Sequence, residues 1–115
     1  MMCGREWVVE AFGCPPEGLR DRERLEQLFT TLVAGMSLHA IGAPQWHQFP
    51  APGGITGVTM LQESHIAVHT FPELGTLCLD VFCCRPRPDW DFAGYLAREF
   101  GASHVEVRAL ERPLQ

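Results

Sequence analysis

Six apolar residues recur at helical spacing in one stretch of the chain. Leu25, Leu28, Phe29, Leu32, Val33 and Met36 fall at i, i+3, i+4, i+7, i+8 and i+11. That stripe predicts an amphipathic helix. Asp21 is its expected N-cap, Glu23 sits in its first turn, and Gly35 lies near its end. Upstream, residues 5–12 (REWVVEAF) concentrate β-branched and aromatic side chains and stop at Gly13-Cys14-Pro15-Pro16, as a strand closed by a turn does. Downstream, Ser37 to Ile41 is a short strand candidate, and the Pro/Gly-rich run Gly42 to Gly54 reads as partly extended and partly loop. Ile55 to Leu61, Ile66 to Phe71 and Thr76 to Phe82 predict three successive strands. Pro72-Glu73-Leu74-Gly75 fits a hairpin loop. Arg85-Pro86-Arg87-Pro88 cannot continue a central strand. A second helix is expected from Asp89 to Phe100, with Phe92, Leu96 and Phe100 on one stripe and Gly101 as its stop. Val105 to Leu110 is the last predicted strand.

The predicted order, β-α-β-β-β-β-α-β, makes an α+β two-layer sandwich: a mainly antiparallel sheet with two helices on one face. Its other face is open unless a second copy covers it. The 115 residues suit one domain over 1–115, and 46% apolar residues are enough to bury a core. A formal net charge of −5 argues against nucleic acid as a partner. No run approaches the roughly 18–20 continuous apolar residues of a membrane span. The start, MMCGREWVVE, has no apolar signal core, so a cytoplasmic location is expected. Five cysteines without a C-x-x-C pair imply free thiols, with neither a disulfide framework nor a zinc ribbon.

The candidate chemistry lies in LQESHIAVHTFPELG, residues 61–75. His65 and His69 stand at i, i+4, which on a helix would suit a metal. On a strand the pair is ~13 Å apart, so no metal site is expected. Cys83 and Cys84 are neighbours, and strand alternation lets only one of them face a given site. Glu63-Ser64 alone could be a surface turn.

Taken together, these spacings resemble the small bacterial and archaeal type of S-adenosylmethionine decarboxylase, from Gly4-Arg5 to about Val107. The likeness is strongest in ESHIAVHTFPELGTLCLDVFCC. There the family shows Glu-Ser-His, His-Thr-aromatic-Pro-Glu and Asp-hydrophobic-Phe-x-Cys. WHQFPAPGGITG and GREWVVEAFGC resemble its upstream elements. The resemblance implies a proenzyme that cuts itself between Glu63 and Ser64. The products would be a 1–63 β chain and a 64–115 α chain, the latter beginning with a pyruvoyl group made from Ser64. That carbonyl forms a Schiff base with a substrate amine and withdraws electrons as carbon dioxide leaves. The resemblance further implies Cys84 as proton donor, twenty residues after the serine, and His69 and Thr56 as processing residues. Glu73 is implied on the substrate ribose, with Phe49 and Phe71 beside the adenine. The implied partners are S-adenosylmethionine, decarboxylated to supply aminopropyl groups for polyamines, and a second copy in a homodimer of cleaved protomers.

The sequence departs from the pattern chiefly around the adenine. Phe71 stands where Trp is common, and Thr56 where Ser is usual. Cys83 falls where Thr is common, and Cys3 where a large apolar side chain is frequent. The segment from Phe49 to Thr56 is one residue longer than usual. Two alternatives follow: the same chemistry on another amino acid such as arginine or ornithine, or an uncleaved, non-catalytic relative acting as a partner subunit.

Overall fold

The computed structural model describes residues 2–114; Met1 and Gln115, the two ends of the expected domain, lie outside them. The strands are β1 (Met2–Phe12), β2 (Gln45–Gln48), β3 (Ile55–Leu61), β4 (Ser64–Phe71), β5 (Thr76–Cys83) and β6 (His104–Leu114). They form one sheet in the order β2-β3-β4-β5-β1-β6, with every neighbouring pair antiparallel. The helices are α1 (Pro16–Leu19), α2 (Arg22–Gly35) and α3 (Phe92–Phe100). This is the expected α+β sandwich, with its core between helices and sheet.

Alternation builds that core. Trp7, Val9 and Ala11 of β1, Ile66 and Val68 of β4, and Leu77, Leu79, Val81 and Cys83 of β5 are buried on the helix side. They meet Leu25, Leu28, Phe29 and Leu32 of α2, and Phe92, Leu96 and Phe100 of α3. Each such burial stabilises the fold by about 1.5–3 kcal/mol. Asp21 caps α2 as its position predicts, its Oδ1 accepting from the N–H groups of Glu23 (3.1 Å) and Arg24 (3.4 Å). Gly101 stops α3 in the left-handed region, at φ 67°.

Several boundaries differ from the sequence pattern. The turn after β1 holds a third, one-turn helix, α1, with Pro16 at its start, where proline's missing N–H costs nothing. Ser37 to Ile41 is not a strand. Leu38 turns into the core, and only Ala40 makes a bridge, to Leu61. The edge strand is β2 instead. Its Trp46 lies across Gly57, where an added Cβ would clash with the indole, and it packs on Phe29 at 4.8 Å between ring centroids. Residues 89–91 precede α3 rather than joining it. Asp91 is the N-cap, its carboxylate accepting from Gly94 N–H at 2.9 Å.

One buried polar side chain ties three elements together. Thr70 Oγ1 donates to the Leu19 carbonyl at the end of α1 (2.6 Å) and accepts from Ile55 N–H at the start of β3 (2.9 Å). Thr70 is only 4% exposed. Thr70→Val keeps the shape and leaves both backbone groups buried without this partner. It should cost about 2–4 kcal/mol in urea unfolding, with Thr70→Ser recovering most of it. A loss below about 0.5 kcal/mol would show that the hydroxyl is dispensable.

The other sheet face carries no helix. Val58, Met60 and Leu110 are 40%, 63% and 49% exposed on it. Between them runs a charged network. Glu6 pairs with Arg112 and Glu10 with Arg108, both at 2.6 Å, and His65 Nε2 lies 3.5 Å from Asp80. Burial pushes the Asp80 carboxyl above its ordinary range, and a hydrogen bond with Glu6 and its charge add to this; His65 pulls partly back. A carboxyl with a raised folded pKa holds its proton more tightly folded than unfolded. Its contribution is therefore full below the unfolded value and is lost as pH rises through the folded one. Asp80→Asn should gain in Tm over the parent as pH rises above about 4. A Tm difference that stays constant from pH 3.5 to 7 would contradict this.

Candidate functional site

The sequence-marked residues gather in two places. The first is the β3–β4 hairpin. Leu61 pairs with Ser64, so Gln62 and Glu63 form a two-residue turn. Glu63 takes φ 54°, a left-handed conformation that glycine or asparagine adopts more readily. Such a residue stores about 1–3 kcal/mol of strain, here on the residue that precedes the Glu63–Ser64 peptide bond. Ser64 is half-buried at the start of β4, and its Oγ accepts from Cys84 N–H at 3.3 Å. The Cys84 thiol in turn lies 3.3 Å from a Glu63 side-chain oxygen. Three residues from two hairpins thus touch one another at one end of the sheet.

The adjacent cysteines are both buried, and β5 ends at Cys83, so strand alternation does not reach Cys84. Cys83 ends the buried series of β5 and is fully enclosed; burial pushes its thiol pKa up, which keeps it protonated and inert. Cys84, just past the strand, lines a cavity of about 550 Å³ together with Glu63, His39, Arg85 and Arg87.

The second place lies at the other end of β3 and β4. Thr56 and His69 are paired across the two strands, with Thr56 Oγ1 3.1 Å from His69 Nδ1. They share a cavity of about 390 Å³ with Phe49, Phe71 and Glu73. Phe49 is held over this cavity by a tight turn, its N–H donating to Gly54 carbonyl at 2.9 Å. Phe49 and Phe71 are 52% and 38% exposed, two aromatic surfaces open to a ligand. Glu73 stands in the exposed β4–β5 turn.

Within one protomer the two clusters do not meet. Ser64 and His69 are five residue steps apart along the strand, a distance of roughly 16 Å at 3.3 Å per residue. Neither His39, Arg85 nor Arg87 was marked in the sequence. The cavity they line is made of segments more than twenty residues apart in the chain, and no local motif carries it.

The chain and its fold have counterparts among known proteins. The family model described as S-adenosylmethionine decarboxylase matches residues 5–113. A protein of Carboxydothermus hydrogenoformans named S-adenosylmethionine decarboxylase proenzyme is 38% identical over 112 residues, covering 95% of this chain and 85% of the relative. The protein of the same name from Moorella thermoacetica is likewise 38% identical, covering 95% and 86%. That from Caldicellulosiruptor saccharolyticus is 36% identical over 114 residues, covering 96% and 89%. Among solved structures, the adenosylmethionine decarboxylase of Aquifex aeolicus shares the fold with a TM-score of 0.78 at 24% identity, over 99% of this chain and 93% of its own. A match that runs through both clusters and nearly the whole chain assigns the protein: it belongs to the S-adenosylmethionine decarboxylase family.

Proposed function

We propose that this chain is a self-processing proenzyme that decarboxylates S-adenosylmethionine by means of a pyruvoyl group made from Ser64. The observation that carries the reading is the strained Glu63–Ser64 junction with Cys84 in direct contact with both residues. Ser64 Oγ attacks the Glu63 carbonyl carbon, and the acyl group moves from nitrogen to oxygen. The N–H of Cys84 at Oγ favours negative charge on the attacking oxygen. Opening the left-handed turn at Glu63 releases strain as the peptide bond becomes an ester. Elimination then separates 1–63 from 64–115.

The residues fit the group that results. The pyruvoyl carbonyl supplies an electron sink at residue 64 for the carbanion left by carbon dioxide. Cys84 holds a proton beside that position and delivers it to the substrate carbon. Glu73 accepts hydrogen bonds from the ribose hydroxyls, and Phe49 and Phe71 offer flat surfaces to the adenine.

His69 and Thr56 assist processing, yet they lie roughly 16 Å from the Ser64 of their own chain. A second copy placed on the open sheet face resolves this, each site taking Ser64 and Cys84 from one protomer and His69, Thr56 and Glu73 from its partner. The exposed Val58, Met60 and Leu110 on that face support such a homodimer.

Two measurements test the reading. Intact mass should show fragments 1–63 and 64–115 for the parent and one chain for Ser64→Ala. Carbon dioxide release should favour S-adenosylmethionine over arginine and ornithine, and Cys84→Ala should slow it about 10²-fold or more while Cys83→Thr is nearly silent. Faster turnover of arginine or ornithine would reassign the substrate. The shared site has its own test. His69→Ala and Ser64→Ala chains, each uncleaved alone, should complement when co-expressed, and only the His69→Ala chain should be cut. No cleavage in the mixture would place the whole site within one protomer.

A further inference from the structure

Arg85 and Arg87 stand together in one cavity. Acidic residues outnumber basic ones 14 to 9, yet among the described residues neither arginine forms a salt bridge. Arg20 and Arg98 likewise form none, whereas Arg5, Arg22, Arg24, Arg108 and Arg112 do. Of these four arginines, Arg85 and Arg87 line the cavity of about 550 Å³ that also contains Glu63 and Cys84. Arg87 is fixed there. Its Nη1 donates to the carbonyl of Ser37 at 2.8 Å, and Ser37 itself is held in the left-handed region at φ 55°. Its Nε is buried and has no acceptor among the described residues. A buried guanidinium N–H without a partner costs about 1–3 kcal/mol, which an acceptor entering the cavity would recover. Glu111, near the other side of Arg87, is engaged by Arg5 at 3.9 Å.

The cavity also holds fewer carboxylates than guanidiniums. Before cleavage its two guanidiniums share one carboxylate, the Glu63 side chain, which is already in contact with the Cys84 thiol.

We propose that this cavity is the receiving site for the α-carboxylate that self-cleavage creates on Glu63, with Arg87 as the residue that binds it. The proposal rests on the self-processing reading above. In the ester, a base removes the Ser64 Cα proton, the Cβ–O bond breaks, and its electron pair leaves on the Glu63 carboxylate. The residue 64 remnant becomes dehydroalanine, whose imine tautomer water hydrolyses to the ketone and ammonia. One negative charge has then appeared on Glu63, in a cavity whose arginines lacked it. Cleavage also releases Glu63 from the closed turn, so its terminal carboxylate can settle on Arg87. The consequence is a clamp: the end of 1–63 is anchored beside Cys84, and the two fragments are held as one folded unit.

A two-by-two comparison tests this. Arg87→Gln is made in the parent, which cleaves, and in Ser64→Ala, which does not, and Tm is measured at matched protomer concentration. The lost Ser37 contact is common to both backgrounds and cancels. The expected result is a Tm loss in the cleaved protein larger by about 3 °C or more, with Arg87→Lys intermediate. Equal losses in the two backgrounds overturn the proposal. If Arg87→Gln halts processing, hydroxylamine decides. A chain split by hydroxylamine at residue 63 has stalled as the ester for want of its counter-ion and supports the proposal; a resistant chain overturns it. A parent chain that never cleaves is a different failure, that of the self-processing reading.

Discussion

The extended geometry of β4 is the constraint on which the remaining arrangement depends. Paired on both sides, by β3 and β5, the strand cannot shorten or bend its ends together. Its first residue is Ser64 and its sixth is His69. The same register that sets Ser64 against the end of β5, beside Cys84, sets His69 against Thr56. The local clusters are therefore well ordered, and the distance between them is equally fixed. On the proposed reading, the missing half of each site is supplied by the partner.

The turn that begins β4 couples fold to chemistry. A two-residue connection needs positive φ, and a glutamate fills the second position. The stability given up there is small against the buried core, and it is localised at one peptide bond. The surrounding residues do not relieve it. They place an N–H on the serine oxygen, a thiol against the glutamate side chain, and two unpaired arginines in the adjoining cavity. Nearly every other strongly charged group in the sheet is already matched, as in Glu6–Arg112 and Glu10–Arg108.

Much of this was legible beforehand, for identifiable reasons. The α2 stripe, the Asp21 cap, the Gly101 stop and the three central strands follow from local periodicity and turn chemistry, which depend on neighbours in the chain. The failures have causes too. Pro15-Pro16 reads as a turn, although a proline opening a helix hides a single helical turn well. Ser37 to Ile41 has the apolar content of a strand, but Leu38 finds a better place in the core, and only one bridge forms to β3. The last strand runs to Leu114 because β1 offers it a pairing edge along its whole length.

The sequence by itself determined which residues carry reactive groups and on what elements they sit, since the Glu-Ser-His and His-Thr-Phe-Pro-Glu spacings are read within a few residues of the chain. Only the tertiary structure decided that these residues form two clusters rather than one, that Thr70 joins α1 to the sheet, and that Arg85, Arg87 and His39 close a cavity around Glu63 and Cys84. Those relations link segments that are distant along the chain and meet only when the sheet is assembled and the helices are packed against it. No pattern of neighbouring residues encodes them.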